Sequence, residues 1–427
     1  QAHLPTRLSA LNKLAGVYAL RMGDFQKGEA LLAQVNRLSR QHDDKSAIPE
    51  ASLIHCQICT AKSDFKSVVD TMAEVVALGQ EMSNQEYVVL GLEHVATSLV
   101  YMTRFDEAKI KAEEGLRVAH EIGEREHEAN LLTMPIPVCH IREGDFAAAR
   151  EALQEGLQIA RKIGSLPPQV LATYLLAEIA RWQGEYEKAL SHGHFSLETA
   201  LPLESFAPFL PVPSLGSLGM IYLEINPKFT DKIAEFHLHA LQLLESPMGA
   251  MGGGTAWSDL GLCAIALGDL KAAEKCIEKG LHYPNLFMLL ERPRQLAGAA
   301  LLAQAKGDQA TAKQRAEEAL LEANKSDMRH YSPFTNLILG QVLVNNGGCE
   351  DGLEALKRAE AEALSLEMRP IVWQARQAMG QALDRLGQAD EAKAKRSEAM
   401  AVAKEIAGLF EDQELRQAYL ENVGVKN

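Results

Sequence analysis

The chain has 427 residues, a formal net charge of −14, and 47% hydrophobic but only 6% aromatic residues. A protein that binds duplex nucleic acid needs a basic surface to displace counterions from the phosphates, and the sequence contains no strong basic cluster. It also lacks a signal peptide and an apolar run of about 18 residues. We therefore expect a cytoplasmic protein that binds neither nucleic acid nor a membrane directly.

A short turn signature recurs about every 40 residues along the chain. It begins at Gly23, Ser63, Thr103, Gly144, Gly184, Gly268, Gly307, Gly347 and Gly387. The one long gap, from Gly184 to Gly268, spans two periods, and a divergent copy fits there between Ser214 and Leu244. In each copy, apolar residues at positions i, i+3, i+4 and i+7 predict one helix before the turn and another after it. The sequence thus predicts ten helical hairpins, and strand signals are nearly absent.

The clearest copy reads TAWSDLGLCAIALGDLKAAEKCIEKGL, with Trp257, Leu260 and Gly261 before the turn at Gly268. This pattern resembles the tetratricopeptide repeat, and the resemblance covers the chain from about Leu8 to Glu405. It implies an all-α, right-handed α-solenoid in which stacked hairpins bury one another's apolar faces. The usual unit has about 34 residues, so we expect longer helices here. Such long repeats look like those in the sensor regions of large bacterial regulatory ATPases of the MalT type.

The second copy contains the fragment HCQIC, in which His55 precedes a C-x-x-C pair, Cys56 and Cys59. That spacing is compatible with a redox dithiol, with half of a zinc site, or with two small side chains in a packed core. In repeat register Cys56 occupies the small position that Gly261 holds, and no second Cys or His pair lies in register nearby. We therefore expect packed thiols, and neither a metal nor another cofactor.

Prolines interrupt the array in two places. In copy four, Pro135 and Pro137 fall inside the predicted helix before the turn, so that helix either starts late or carries a kink that opens the groove. Between copies five and six, the stretch LPLESFAPFLPVP, residues 201–213, contains four prolines. We expect an extended linker there, which is either a simple joint or a segment that lines the groove.

Catalytic motifs are absent from the sequence. The glycine-rich run before copy seven has no following lysine and no preceding strand, so it does not fit a phosphate-binding loop. His192 and His194 are two residues apart and point in different directions on a helix, which predicts solvated side chains. Neither H-E-x-x-H nor G-x-S-x-G occurs. We predict that the chain is not an enzyme.

The concave groove of the solenoid is the predicted binding surface. Polar or aromatic side chains occupy its inward-facing positions at Gln57, Glu93, His94, Tyr174, Glu178, Arg181, Trp182, Asp259 and Arg294. Tyr174, Glu178 and Arg181 share one helix face at i, i+4 and i+7, where they either bind a polar ligand or solvate the groove. The phrase ERPRQ, Glu291 to Gln295, places two arginines at a helix start, where an anionic partner docks or surface ion pairs form.

The last segment, 406–427, predicts the C-terminal cap: a helix end, a short break at Glu411 and Asp412, and a final helix with Asp412 as its N-cap. This segment looks like the extreme C-terminus of bacterial proteins that join a kinase or cyclase domain, a STAND-type ATPase and a tetratricopeptide tail. The matching residues are Ile406, Asp412, Glu414, Leu415, Arg416, Tyr419, Leu420 and Asn422. The resemblance, together with the start at Gln1 without a methionine, leads us to expect that upstream domains are missing from this chain.

These observations predict repeats one to five over 1–200, a linker over 201–213, repeats six to ten over 214–405, and the cap. The leading function is a non-catalytic region of a bacterial signalling ATPase that binds a protein, a peptide or a small effector in its groove. One alternative is a stand-alone scaffold for complex assembly. Another is a receptor for a peptide or a small molecule.

Overall fold

The computed structural model of the protein describes residues 3–246, 249–282 and 290–425. Within these ranges the regular structure is helical and no residue lies in a strand. The described residues contain twenty-two α-helices, most of them paired as hairpins, which confirms the predicted all-α solenoid. In each hairpin we call the helix before the turn the first helix and the helix after it the second helix.

Two compact units divide the chain, the first ending at Cys139 and the second beginning at His140. Unit one contains three complete hairpins and the start of a fourth. Its helices are α1 (Leu4–Gly16), followed by a π-helical turn (Val17–Arg21), α2 (Phe25–His42), α3 (Ile48–Ala61), α4 (Phe65–Glu81), α5 (Gln85–Tyr101), α6 (Phe105–Ile122) and α7 (Arg125–Thr133). The next helix, α8 (Pro135–Glu143), carries the chain from unit one into unit two.

Unit two contains the remaining hairpins and the C-terminal cap. Its helices are α9 (Phe146–Ile163), α10 (Leu166–Trp182), α11 (Tyr186–Ala200), α12 (Pro211–Ile225), α13 (Thr230–Leu244), α14 (Gly253–Ala266), α15 (Leu270–His282), α16 (Arg292–Ala305), α17 (Gln309–Lys325), α18 (Ser332–Asn345), α19 (Cys349–Ser365), α20 (Arg369–Arg385), α21 (Ala389–Ala407) and α22 (Gln413–Asn422). The first helices α10, α12, α14, α16 and α18 pack against one another in succession. Their contacting faces form the interior of the unit.

The predicted turn signature has a direct physical role. All nine predicted turn positions adopt positive φ, which glycine tolerates best. At the clearest example, Gly144 takes a φ of 79°, and Asp145 accepts a hydrogen bond from the Ala148 backbone N–H at 3.0 Å. This bond caps the N-terminus of α9. Phe146 then opens the helix and is buried, with its ring 5.7 Å from that of Trp182 on α10.

Both proline interruptions are visible in the structure. The first helix of copy four is split, because α7 ends at Thr133, Met134 leaves the helical region and α8 begins at Pro135. Proline lacks a backbone N–H and is therefore accommodated in the first turn of a helix. The stretch 201–213 is less extended than expected: Leu201–Leu203 forms a 3-10 turn, and α12 starts at Pro211. The structure describes the glycine-rich run from Gly249, where a 3-10 turn leads into α14.

Unit two also closes on itself through contacts between hairpins distant in sequence. Arg142, at the end of α8, donates a 2.6 Å hydrogen bond to Asp327, which lies before α18. Arg369, at the start of α20, donates to the Gln183 carbonyl at 2.9 Å. The Asn226 side chain, after α12, donates to the Ala418 carbonyl of α22 at 2.8 Å. The first hairpins of the unit therefore contact its last hairpins and its cap.

The C-terminal cap is the helix α22, which is shorter than the predicted segment 406–427 because α21 extends to Ala407. A short break separates α21 from α22, and Asp412 accepts hydrogen bonds from the Glu414 and Leu415 backbone N–H groups. Tyr419 is fully buried, with its ring 5.7 Å from both Tyr186 and Phe410. An aromatic cluster thus holds α22 against α11.

Cys56 and Cys59 are packed inside unit one, as are the other four cysteines in their own surroundings. Burial raises the pKa of Cys56 to about 12 and that of Cys59 to about 11. A thiol reacts as the thiolate. We expect native protein to react with a maleimide at least about tenfold more slowly than protein unfolded in urea. One rapidly labelled thiol of this pair would contradict the packing.

Candidate functional site

A cluster of charged side chains occupies the interior of unit two. Its members are Glu178 and Arg181 on α10, Glu224 on α12, Asp259 on α14, and Glu291 and Arg294 at the start of α16. We call these six residues the charged cluster. Five of them are buried, and the Glu224 side chain is 21% exposed. Charged groups are rarely buried unless they are paired. The pairing within the cluster therefore shows which of its members could still interact with a ligand.

Arg181 joins two helices of the cluster. Its Nε and Nη2 donate to the two carboxylate oxygens of Glu178 at 3.1 and 2.7 Å, because residues three apart on a helix are neighbours. Its Nη1 donates to Oε1 of Glu224 at 2.6 Å. The Ser217 hydroxyl also donates to Glu178, at 2.6 Å. Glu178 and Arg181 are therefore well satisfied, and they tie α10 to α12.

Asp259 is less well satisfied. Arg294 forms an ion pair with it and lies 3.9 Å from Glu178. Arg294 contacts only Oδ1 of Asp259, and Oδ2 accepts no hydrogen bond from any residue that the structure describes. A buried acceptor without a donor is costly. Glu291, by contrast, accepts a 2.7 Å hydrogen bond from the Tyr331 hydroxyl.

The charged cluster contains four carboxylates and only two guanidinium groups. Burial raises the pKa of Glu178, but Arg181, Arg294 and the Ser217 hydroxyl together outweigh burial and lower the pKa to about 2. For Asp259, burial raises the pKa to about 7 in spite of Arg294. Burial also raises the pKa values of Glu224 and Glu291. Asp259 thus keeps its proton up to near neutral pH, which relieves part of the surplus negative charge of the cluster.

The raised pKa of Asp259 predicts a pH-dependent stability difference between the wild type and an Asp259→Asn variant. Between its unfolded pKa of 3.8 and about 7, native Asp259 binds more protons than unfolded Asp259. Stability supplied by this group is present at low pH and falls as pH rises. From about pH 5 to pH 8, the wild type should lose about 2–3 kcal/mol relative to the variant.

Thermal unfolding followed by tryptophan fluorescence measures this difference, because Trp182, Trp257 and Trp373 all lie in unit two. Burial lowers the pKa of His330 from 6.5 to about 3. The stability that His330 contributes therefore increases as pH rises from about 3 to about 6.5. That contribution is the same in both proteins and cancels from the difference. A stability difference between the wild type and the Asp259→Asn variant that does not change with pH would contradict the raised pKa of Asp259.

The structure places the predicted groove residues in three settings. The charged cluster brings together four of them: Glu178, Arg181, Asp259 and Arg294. Tyr174 is buried beside this cluster, where burial and the charge of Glu178 raise its pKa. Trp182 instead packs between Phe146 and His330, with ring centroids 5.7 and 5.5 Å away.

Gln57, Glu93 and His94 belong to unit one. Gln57 is exposed. Glu93 accepts hydrogen bonds from Asn130 at 3.1 Å and pairs with His127 at 2.6 Å. His94 is half-buried, and burial lowers its pKa. These three residues do not contribute to the charged cluster.

Two interpretations of the sequence differ from the structure. Arg294 is not a surface residue, because the packing of α16 against α14 buries it beside Asp259. His192 and His194 are half-buried rather than solvated, and His194 packs against Tyr222 and Phe236. In both cases the burial comes from a neighbouring hairpin, which local spacing does not reveal.

The sequence did not single out Glu224 or Ser217. Both lie in the divergent copy, where the turn signature is lost, so no repeat register marked them as inward-facing. Glu291 is the first residue of the ERPRQ phrase, but the sequence predicts a role only for the two arginines of that phrase. The cluster could have been predicted from one feature of the sequence. Three successive first helices, α10, α12 and α14, each carry a carboxylate residue of the cluster.

Nowhere in residues 3–246, 249–282 and 290–425 do three His, Cys, Asp or Glu side chains gather as a group able to hold a metal ion. Among the described helices, none combines the length and the apolar character that crossing a bilayer requires.

The repeat unit matches a known family. A sequence profile described as "Tetratricopeptide repeat" matches residues 254–282, which include most of α14, its turn and α15. No curated protein matches the chain. The hairpin array therefore contains a recognisable tetratricopeptide repeat. Solenoids of stacked hairpins present extended binding surfaces, so this fold suggests a scaffold for protein interactions.

Several solved structures are similar to the chain at low identity. A tetratricopeptide repeat protein from Parabacteroides merdae has 16% identity, with 67% of this chain and 96% of that chain covered and a TM-score of 0.35. Human IFIT1, solved as a dimer with m7Gppp-AAAA, has 15% identity, coverages of 91% and 80%, and a TM-score of 0.47. A Rap protein in complex with Competence and Sporulation Factor has 14% identity, coverages of 96% and 99%, and a TM-score of 0.43.

Proposed function

We propose that this chain is a non-catalytic interaction and sensing region of a larger cytoplasmic bacterial signalling ATPase of the STAND type. The resemblance of the long repeats and of the C-terminal segment supports this context. Several of the residues in that segment have structural roles: Ile406 on α21 and Tyr419 on α22 are buried, and Asp412 caps α22. The full reading frame tests the context, since an upstream Walker motif supports it and a free-standing frame contradicts it.

The charged cluster is the observation that carries the interaction function. Perturbed carboxylates that converge in one interior are typical of functional sites. Its surplus of carboxylates, and the Oδ2 atom of Asp259 that lacks a donor, favour a partner that supplies positive charge. We therefore propose that unit two binds a peptide or protein segment through a lysine or arginine side chain.

Access to the cluster runs past the cap. Glu224 is its partly exposed member, and its backbone carbonyl accepts a 3.2 Å hydrogen bond from Asn422 of α22. A cationic side chain that pairs with Glu224 would therefore meet α22 first. Binding would favour a state in which the cap is displaced, and displacement of the cap would pass the signal on.

A peptide library tests this function. Each peptide carries a single arginine in a neutral background, and a matched set carries the neutral isostere citrulline. We expect fluorescence anisotropy to detect arginine peptides that bind, with a loss of about tenfold in the Glu224→Gln variant. The control is Glu235→Gln, which removes an exposed carboxylate of α13 in the same unit.

Two results would contradict the proposal. One is equal binding of arginine and citrulline peptides. The other is an affinity that Glu224→Gln leaves unchanged. Hydrogen exchange of α22 provides the second readout, since bound peptide should accelerate exchange in the cap.

A further inference from the structure

A separate pocket of about 330 Å³ lies between α9, α10 and α11 in unit two. Its floor is apolar and consists of Leu176 and Ala180, both buried on α10. None of its lining residues belongs to the charged cluster. The volume falls within the range of small-molecule sites, which combine apolar walls with a few convergent polar groups.

The rim of this pocket carries an excess of positive charge. Arg150 on α9 and Lys188 on α11 both approach Oε2 of Glu185, at 3.3 and 3.4 Å. One carboxylate oxygen is thus shared between two cations, and both contacts are longer than a typical charge-assisted hydrogen bond. His192 completes the rim. Burial lowers its pKa, and the charges of Arg150 and Lys188 lower it further.

We propose that this pocket binds a small organic anion. Its carboxylate would be held between Arg150 and Lys188, and its apolar part would lie on Leu176 and Ala180. Arginine and lysine are the usual partners of such anionic groups. This site is independent of the function proposed for the charged cluster, because it uses other residues and the opposite charge.

Ligand-observed NMR with three probes tests the proposal on the whole chain. Hexanoate has both the anionic group and the apolar part, hexanamide lacks the charge, and inorganic phosphate lacks the apolar part. We expect hexanoate to bind more tightly than either of the others. No binding of hexanoate, or equal binding of hexanoate and hexanamide, would overturn the proposal.

Gln154 allows a test that leaves the core intact, because it lines the pocket but is exposed on α9. Gln154→Lys should tighten hexanoate binding about threefold, and Gln154→Glu should weaken it about threefold. The same changes at Gln309, an exposed residue of α17, serve as controls for net charge and should have no effect. Equal effects at positions 154 and 309, or no opposite effects at 154, would overturn the proposal.

Discussion

Replacing Arg181 with alanine should destabilise unit two by about 3–5 kcal/mol. The guanidinium group donates to both oxygens of Glu178 and to Glu224, so its removal leaves buried carboxylates without their main partner. Breaking a buried ion pair by removing one member is strongly destabilising because the other charge remains in a medium that solvates it poorly. Urea unfolding followed by tryptophan fluorescence reports on unit two.

The matched control is Arg358→Ala on α19. Arg358 pairs with Glu354 at 2.8 Å, but their side chains are 57% and 70% exposed. An exposed pair contributes at most about 1 kcal/mol. If the two alanine variants lost similar stability, Arg181 would not be holding the interior of unit two together.

Replacing Tyr419 with alanine should cost about 3–5 kcal/mol, comparable to other large aromatic truncations in a core. Tyr419 is fully buried and packs against Tyr186 and Phe410. The cavity would lie where α22 meets α11. Urea unfolding and the hydrogen exchange of α22 measure the loss, and exchange in the cap should accelerate strongly.

Tyr419→Phe is the matched comparison. The Tyr419 hydroxyl is buried and has no hydrogen-bond partner among the described residues, so its removal should change the free energy of unfolding by less than about 1 kcal/mol. A large loss in the phenylalanine variant would show that the hydroxyl, rather than the ring, holds the cap.

The hairpins could be predicted because their signals are local. A residue with positive φ, an aspartate that caps the next helix and a buried aromatic lie within a few residues of each other, as in Gly144, Asp145 and Phe146. The same holds for the cap, where Asp412 and the residues after it are adjacent in sequence. Such features depend on backbone sterics and helix termini rather than on distant contacts.

The charged cluster was only partly predictable. Repeat register marked Glu178, Arg181, Asp259 and Arg294 as inward-facing, but it gave no sign that those on different hairpins contact one another. Glu178 and Asp259 are 81 positions apart, and Glu224 lies between them in a copy whose signature has diverged. Whether these residues form a binding site stays a prediction.

The closure of unit two was not predictable from the repeats. Arg142 and Asp327 are 185 positions apart, and Asn226 and Ala418 are 192 positions apart. Repeat periodicity describes contacts between neighbouring hairpins, so it predicts a groove but not which distant hairpins meet across it. The inward-facing charged residues are buried by packing between hairpins, and no local sequence pattern predicts that packing.

Infrared difference spectroscopy of the unliganded protein tests the surplus charge of the cluster most directly. A protonated buried carboxyl group has its own C=O stretching band. We predict a band that disappears as pH is raised through about 7, and that is absent from the Asp259→Asn variant. The absence of such a band from the wild type, or its persistence in the variant, would contradict the proposal that unit two holds a surplus acid able to pair with a cationic partner.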